Sequence, residues 1–282
     1  MLLNDSTLVR LSRGVHILQR DDTAVQFGVD ATRSGLIESP VAPALSRTLN
    51  DVRWPEEIGA LRATLKERCG TDEVAAQSLI DDLCAYRILI PAAEPTVAVM
   101  GSSPLAREIT RILRASGAVV RIPTAREDVE DFLQRYDRSP LVLVDSTHDY
   151  FDCGKQLAHH RNWCLPVISF DSRVIVGPVS APGSSPCAMC MYMQLGDRDE
   201  LLHRMMETIA EHERRADPVV TAMGAAVVVT VMRRLMGVAD PPGIVPDKPE
   251  PGSTLMVDPF GPVQIMPFPA ESHPKCPVCS GS

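Results

Sequence analysis

The sequence is poor in aromatic residues, in positive charge and in long apolar runs. Only 4% of its 282 residues are aromatic, although 45% are hydrophobic, so its core must be built from Leu, Val, Ile, Ala and Met. The formal net charge of −8 argues against a nucleic-acid binder that neutralises phosphates. The longest apolar run, Val219–Met232, is interrupted by Thr221, Gly224 and Thr230 and falls short of the ~20 residues that span a membrane. We therefore expect neither a nucleic-acid nor a membrane partner.

Several catalytic signatures are also missing. The sequence contains no G-x-S-x-G, no H-E-x-x-H and no P-loop, which mark hydrolase nucleophiles, zinc peptidases and phosphate-binding NTPases. Residues 1–6 have no positive flank and no apolar core, so we expect no secretory signal and a cytoplasmic protein. In that reducing compartment, paired thiols coordinate metals more often than they form disulfides.

Four of the eight cysteines form two matched pairs, Cys187-Ala-Met-Cys190 and Cys276-Pro-Val-Cys279. Each C-x-x-C turn directs two thiolates to one spot, and two such turns complete the tetrahedral ligand set of a structural zinc. Because metal binding is coupled to folding, the site would tie the C-terminal segment to the middle of the chain. Two disulfides or four free thiols are the alternatives. The remaining cysteines are expected to be small buried hydrophobic residues: Cys69, Cys84, Cys153 and Cys164.

Residues 1–93 have the pattern of a small domain. Val15–Gln19 and Ala24–Gly28 alternate in polarity around a polar turn, which is typical of a β-hairpin, and Gly35–Glu38 is a third short strand. The helices and the last strand are predicted from apolar periodicity, proline and glycine, at Ala42–Leu49, Pro55–Arg68, Thr71–Tyr86 and Arg87–Ile90. Strands that flank three helices are typical of a winged helix-turn-helix.

Residues 94–282 alternate strands and helices. Near-continuous apolar runs predict buried parallel strands, at Thr96–Met100, Ala118–Ile122, Leu141–Val144 and Leu165–Ser169. Helices at Pro104–Ser116 and Ala125–Tyr136 separate the earlier runs, which favours an α/β fold with a doubly wound, mostly parallel sheet. A strand at Arg173–Val176, an apolar helix ending before Gly237 and a hairpin within Thr254–Phe268 complete this second predicted domain.

The turn after the first strand of this sheet is where a nucleotide-binding fold holds phosphate. It reads Gly101-Ser102-Ser103-Pro104, so only the first glycine of G-x-G-x-x-G is present and Pro104 removes one amide donor. Ser102 and Ser103 either cap the following helix or hold an anion. Since no acidic residue ends the next strand, we do not expect ATP to bind.

Asp145 and Asp149 follow the central strand, at the carboxyl end where parallel sheets bind ligands. Two carboxylates there are a candidate magnesium site; alternatively, they cap a turn and the following helix. His159 and His160 are expected on the surface. The sequence thus indicates a folded platform with a metal site, and we expect no independent catalysis.

The cysteine pairs and their surroundings resemble a known family. Ile175–Cys190, with its V-G-P, P-G and P-C-x-x-C elements, and His273-Pro-Lys-Cys276-Pro-Val-Cys279 are similar to the signature of ThiF-like partner proteins of azoline-forming cyclodehydratases. These proteins take part in the biosynthesis of thiazole/oxazole-modified peptides, including bacteriocins. The wider relatives are ThiF-type, ubiquitin-activating-enzyme-like adenylating proteins, which share a loop similar to Asp145–Asp149. The resemblance covers roughly residues 96–279.

The resemblance implies a zinc-stabilised protein that binds the leader of a precursor peptide and presents it to a separate YcaO-type, ATP-dependent cyclodehydratase. It implies that the hairpin and Gly35–Glu38 form the sheet that receives the peptide as an added strand, with Thr71–Tyr86 as the groove wall. Relatives of this fold commonly form homodimers. Two other functions are left open: an active adenylating enzyme that would use Gly101–Ser103, Asp145 and Asp149, and a winged-helix transcription factor.

Overall fold

The computed structural model describes residues 4–30, 32–33, 35–146, 153–210, 216–244 and 247–279. The chain divides into two compact units, Met1–Ala93 with Ala239–Asp247, and Glu94–Val238 with Lys248–Ser282. Sequence analysis had assigned the segment Ala239–Asp247 to the second domain, but the structure attaches it to the first unit. There Gly243 lies directly against the backbone of Arg33, and the guanidinium of Arg87 donates a 3.1 Å hydrogen bond to the carbonyl of Ile244.

The described residues of the first unit form two small antiparallel sheets and three helices. Its elements are β1 Leu8–Leu11, β2 Ile17–Gln19, β3 Ala24–Phe27, β4 Leu36–Glu38, α1 Ala42–Asp51, β5 Glu56–Glu57, α2 Ile58–Cys69, α3 Glu73–Ala85 and β6 Leu89–Pro91. The sheets have the orders β2-β3-β4 and β5-β1-β6. The predicted hairpin, third strand and three helices are therefore present, and they enclose a core that includes Phe27, Leu49, Leu61 and Ile80.

Sequence analysis missed β1 and β5. These strands are four and two residues long, and such short runs carry no recognisable periodicity. The pairing of β5 with β1 also explains why α2 begins at Ile58 and not at Pro55, since Glu56 and Glu57 are extended.

The second unit is built on a seven-stranded sheet in the order β13-β12-β11-β10-β9-β7-β8. Its elements are β7 Thr96–Met100, α4 Pro104–Ala115, β8 Val119–Arg121, α5 Val129–Arg135, β9 Leu141–Val144, α6 Gly154–Ala158, β10 Cys164–Phe170, β11 Arg173–Val176, α7 Ala188–Arg198, α8 Leu202–Ala210, α9 Pro218–Leu235, β12 Leu255–Val257 and β13 Ile265–Pro267. Strands β8, β7, β9 and β10 are parallel, and β11 to β13 extend the sheet antiparallel. The predicted strands and the C-terminal hairpin are all present.

Helices cover both faces of this sheet. Because successive strand residues point to opposite faces, Val97 and Val99 join one apolar core with α4 and α9. Ala98 and Met100 join another with α5 and α7. The sheet is therefore doubly wound, as the apolar runs predicted.

Helix α9 is long and apolar enough to cross a membrane by length and composition alone. Its side chains Val220, Val228 and Met232 lie in the core shared with the sheet and α4. A helix that is buried along one face between a sheet and another helix is a core element, and this arrangement is consistent with a soluble protein.

Candidate functional site

The four paired cysteines come together beneath the sheet, on the face that α5 and α7 cover. Cys187 is the residue before α7, and Cys190 lies in the first turn of that helix. Cys276 and Cys279 lie in turns after β13. Cys187, Cys190 and Cys276 are buried among the apolar residues of this face, and Cys279 is partly buried against them.

The sulfur atoms have the spacing of a tetrahedral ligand set. All four Sγ atoms lie within 4.8 Å of one another. Individual separations are 3.8 Å for Cys187–Cys190, 3.6 Å for Cys187–Cys276 and 3.2 Å for Cys190–Cys279. Thiolates bound to one zinc at the usual Zn–S length of ~2.3 Å lie about 3.8 Å apart, whereas disulfide sulfurs lie about 2.05 Å apart. The arrangement fits a metal ion and leaves all four cysteines as free thiols.

The polar surroundings of the sulfurs favour a thiolate at Cys190. The pKa of Cys190 is lowered to about 4, chiefly because the Cys187 thiol donates a hydrogen bond to it and also because the backbone N–H of His273 does so. The pKa of Cys187 is raised by the same hydrogen bond and by burial, and burial raises the pKa of Cys279 to about 11. Negatively charged sulfurs this close together repel one another, so a cation is the group that this donor set suits.

His273 joins the C-terminal segment to α7, which sequence analysis did not foresee. Its backbone N–H donates to Cys190 Sγ at 3.3 Å, and its buried ring pairs through Nε2 with Asp197 at 2.9 Å. Its Nδ1 accepts a hydrogen bond from the backbone N–H of Lys275. A metal ligand is held in place by such supporting contacts. The presence of His273 three residues before Cys276 was the available sequence signal.

The turn after β7 packs closely against the end of the neighbouring strand β9. Gly101 has a positive φ of +123°, and a Cβ there would lie 2.1 Å from the carbonyl oxygen of Val144, so only glycine fits beside the end of β9. Ser103 caps α4 by accepting a hydrogen bond from the N–H of Ala106. The carbonyl of Ser102 accepts one from the Arg107 guanidinium. Of the two roles considered for this serine, helix capping and anion binding, Ser103 has the capping role in the structure.

Asp145 lies at the carboxyl end of β9 in a left-handed conformation, with φ +53°. Its Oδ1 accepts hydrogen bonds from both the N–H and the hydroxyl of Ser169, at 2.7 and 2.8 Å, and these contacts join the carboxyl ends of the parallel strands β9 and β10. Asp149, the second candidate of the pair, lies outside the described residues. Among the residues that the structure describes, only the cysteines form a cluster with metal-ligand spacing.

Two further features differ from expectation. His160 was expected on the surface of a helix, but the helix ends at Ala158 and His160 is only 6% exposed. Burial lowers the pKa of His160. Helix α8 was not predicted at all, although Leu202, Met205, Met206 and Ile209 have the i, i+3, i+4 and i+7 spacing of an apolar helical face.

Comparisons with known proteins agree with this fold. No family model and no curated protein sequence matches the chain. Among solved structures, the heterocyclase TruD is 14% identical with a TM-score of 0.57, and the match covers 97% of this chain and 43% of that one. A heterocyclase in complex with substrate and cofactor is 14% identical with a TM-score of 0.56, covering 97% and 39%. The microcin C7 biosynthetic enzyme MccB in complex with N-formylated MccA is 13% identical with a TM-score of 0.49, covering 96% and 99%.

This chain spans about two fifths of the length of the two heterocyclases. At 14% identity the likeness concerns the fold, and it extends over nearly the whole of this chain. The fold that the sequence resemblance implied is therefore one that this chain shares with the two heterocyclases.

Proposed function

We propose that this protein is a zinc-stabilised, non-catalytic partner of a YcaO-type cyclodehydratase, and that it binds the leader of a precursor peptide in thiazole/oxazole-modified peptide biosynthesis. The observation that carries the proposal is the fold shared with the heterocyclase TruD over 97% of this chain. The part of the heterocyclases that this chain does not span corresponds, in this proposal, to a separate cyclising enzyme. Both proteins act in the cytoplasm.

The first unit supplies the peptide-binding element in this proposal, as a winged-helix-like domain. Within the described residues β4 pairs only with β3, so its other edge is open. Gly35 and Ser39 lie on either side of β4; the carbonyl of Gly35 accepts a hydrogen bond from Phe27 of β3, and the N–H of Ser39 donates one to Thr23, the residue before β3. Because hydrogen bonding alternates along an antiparallel strand, the backbone N–H and C=O groups of Leu36 and Glu38 point to the open edge. An extended leader peptide would add here as a fourth strand.

Zinc is the proposed metal because four sulfur donors in tetrahedral spacing match its preferred coordination. In this role, Cys187, Cys190, Cys276 and Cys279 hold the ion, and the ion fixes the C-terminal segment to α7. All four positions are filled by protein ligands, and a site closed in this way is structural.

Peptide binding is tested by titrating the purified protein with candidate leader peptides, alone and together with the YcaO-type enzyme. We expect micromolar binding, and cyclisation by the enzyme only when this protein is present. Absence of binding to both peptide and enzyme would reject the proposal. Calorimetry with Mg-ATP tests the alternative function, an active adenylating enzyme. Such an enzyme must bind ATP, so a heat of binding would favour it.

The binding edge is tested with Leu36→Pro. Proline removes an outward N–H while leaving the ladder to β3 in place, and we expect peptide affinity to fall about tenfold or more, as for the loss of one to two main-chain hydrogen bonds. Leu36→Ala, which keeps the N–H, is the matched control and should bind almost normally. Equal affinities for the two variants would show that the peptide binds elsewhere.

A further inference from the structure

A cavity of 210 Å³ opens at the carboxyl edge of the large sheet, entirely within the second unit. Its floor is formed by Asp145 and Ser169, at the ends of β9 and β10, and the first turn of α4 forms one side. Ligands of parallel sheets bind at this edge. The cavity thus occupies the position at which a related fold would hold a nucleotide, but its lining is of a different kind.

The described lining does not suit phosphate. The start of α4 offers little to an anion, since Pro104 has no N–H and the N–H of Ala106 already donates to Ser103. Asp145 and Asp171 both line the cavity, and no Lys, Arg or His is present among its described lining residues. Two carboxylates repel a triphosphate and attract a cation.

The walls are apolar and adaptable. Leu105, Val174 and Val220 form the inner wall, and α8 covers the opening with Met205, Met206 and Ile209. Methionine side chains adjust to ligands of different shape. Met205 is 47% exposed and Ile209 41% exposed, so these two side chains of α8 contact both the cavity and solvent. A cavity of about 150 Å³ is enough for benzene, and 210 Å³ therefore accommodates a ring or branched alkyl group with a short arm.

We propose that this cavity binds an amine with an apolar body, which contacts α8 and the inner wall while its ammonium group faces Asp145. Two sources offer this chemistry: a free alkyl- or arylalkylamine, and the amino terminus of a peptide whose first residue is apolar. Asp145 is suited to the task because its Oδ1 is fixed by two hydrogen bonds from Ser169. A carboxylate held in this way needs little reorganisation to receive a cation.

Calorimetry on the full chain tests this assignment with phenethylamine, the neutral phenethyl alcohol, the peptide Phe-Gly-Gly and its N-acetylated form. We expect phenethylamine or the free peptide to bind at least tenfold more tightly than its neutral counterpart. Preference for the free amine assigns a small-molecule ligand, and preference for the peptide assigns a chain terminus. The proposal is overturned if neither amine binds, if the neutral compounds bind equally well, or if Mg-ATP binds instead.

Three substitutions test whether the amine binds in this cavity. Asp145→Asn keeps an oxygen for the Ser169 hydrogen bonds and tolerates the left-handed backbone, and it should lower amine affinity about tenfold or more. The exposed Asp131→Asn removes the same charge on α5 and should have no effect. Met205→Trp, which fills the opening, should abolish binding even if Asp145→Asn proves unstable. Unchanged amine affinity in both Asp145→Asn and Met205→Trp would refute the site.

Discussion

At the scale of single residues, Cys276 is among the most deeply buried members of the candidate metal centre. Its side chain is 0% exposed, and its sulfur lies 3.6 Å from that of Cys187, which is 89 positions earlier in the chain. The chain around it turns back, since its N–H donates to the carbonyl of His273. Burying a thiolate without a nearby cation costs free energy. We therefore expect a bound metal ion to stabilise the Cys276 thiolate, and the Cys276 thiolate to help retain the ion.

Cys276→Ser should release the metal and lower the melting temperature of the second unit. Structural zinc contributes ~10 kcal/mol or more in zinc-finger peptides, and each kcal/mol lost shifts the melting temperature by about 2–4 °C in a domain of this size. Elemental analysis and scanning calorimetry are the measurements. Cys84→Ser, in the first unit, is the control and should retain the metal. A Cys276→Ser protein with full metal content would contradict the proposed ligand set.

At the scale of elements, the close contact between α9 and the sheet depends on Gly224. A Cβ at this position would lie 2.8 Å from Cγ2 of Val174 on β11 and 3.5 Å from Cδ1 of Leu105 on α4. Glycine in a helix interior costs about 1 kcal/mol relative to alanine. Glycine at this position therefore lowers the intrinsic stability of α9, but it allows the helix to pack closely against β11.

Gly224→Ala tests this balance. The gain in helix propensity should be outweighed by overpacking of about 1–3 kcal/mol against Val174, so we expect net destabilisation in urea unfolding. The double variant with Val174→Ala creates room for the new methyl group and should be less destabilised than the sum of the single changes. A stabilised single variant would show that β11 moves away without cost.

The ion pairs of Arg62 should make the stability of the first unit depend on pH. Arg62 on α2 pairs with Asp5 at 2.7 Å and with Glu73 on α3 at 2.7 Å. The pKa of Asp5 is lowered mainly by its hydrogen bond from Arg62, and that of Glu73 mainly by its hydrogen bond from Lys66, with a contribution from Arg62. Because folding lowers both pKa values, these carboxylates stabilise the folded unit at neutral pH. Their contribution is lost as the pH falls through the lowered values.

Arg62→Met should therefore lower the melting temperature only slightly at neutral pH, since the carboxylates are exposed, and the difference from the unaltered protein should shrink as the pH falls from neutral through the lowered pKa values of Asp5 and Glu73. Thermal scans across that range measure the effect. Arg47→Met on α1 is the control, because Arg47 bonds a backbone carbonyl and its effect should not change with pH. A difference for Arg62→Met that persists at low pH would assign its role to packing.

At the scale of the whole molecule, the two units have separate cores. The core of the first unit includes Phe27 and Leu61, whereas the apolar clusters of the second unit lie on both faces of its sheet. The cysteine cluster belongs to the face that α5 and α7 cover. We therefore expect metal binding at this cluster to stabilise the second unit directly.

Removal of the metal with a chelator should shift one of two thermal transitions and leave the other in place, because binding to the native state alone adds stability to the unit that binds. Scanning calorimetry before and after chelation, followed by zinc addition, measures this shift and its reversal. Limited proteolysis should then cut the segment that carries Cys276 and Cys279. Equal shifts of both transitions would mean that the units unfold as one.

The local sequence was sufficient for the features that neighbouring residues control. Apolar runs such as Leu141–Val144 identified the buried strands, and each C-x-x-C pair predicted two candidate metal ligands, because both depend on spacing within a few residues. The resemblance carried by Ile175–Cys190 and His273–Cys279 indicated the fold.

Only the tertiary structure decided which distant segments meet. It joined Ala239–Asp247 to the first unit, paired β1 with β5 and β6, buried His160 and placed α8 over the cavity beside Asp145. None of these features is encoded within one short window of sequence, since each depends on contacts between residues far apart in the chain. Burial and chain packing select those contacts only when the entire core forms.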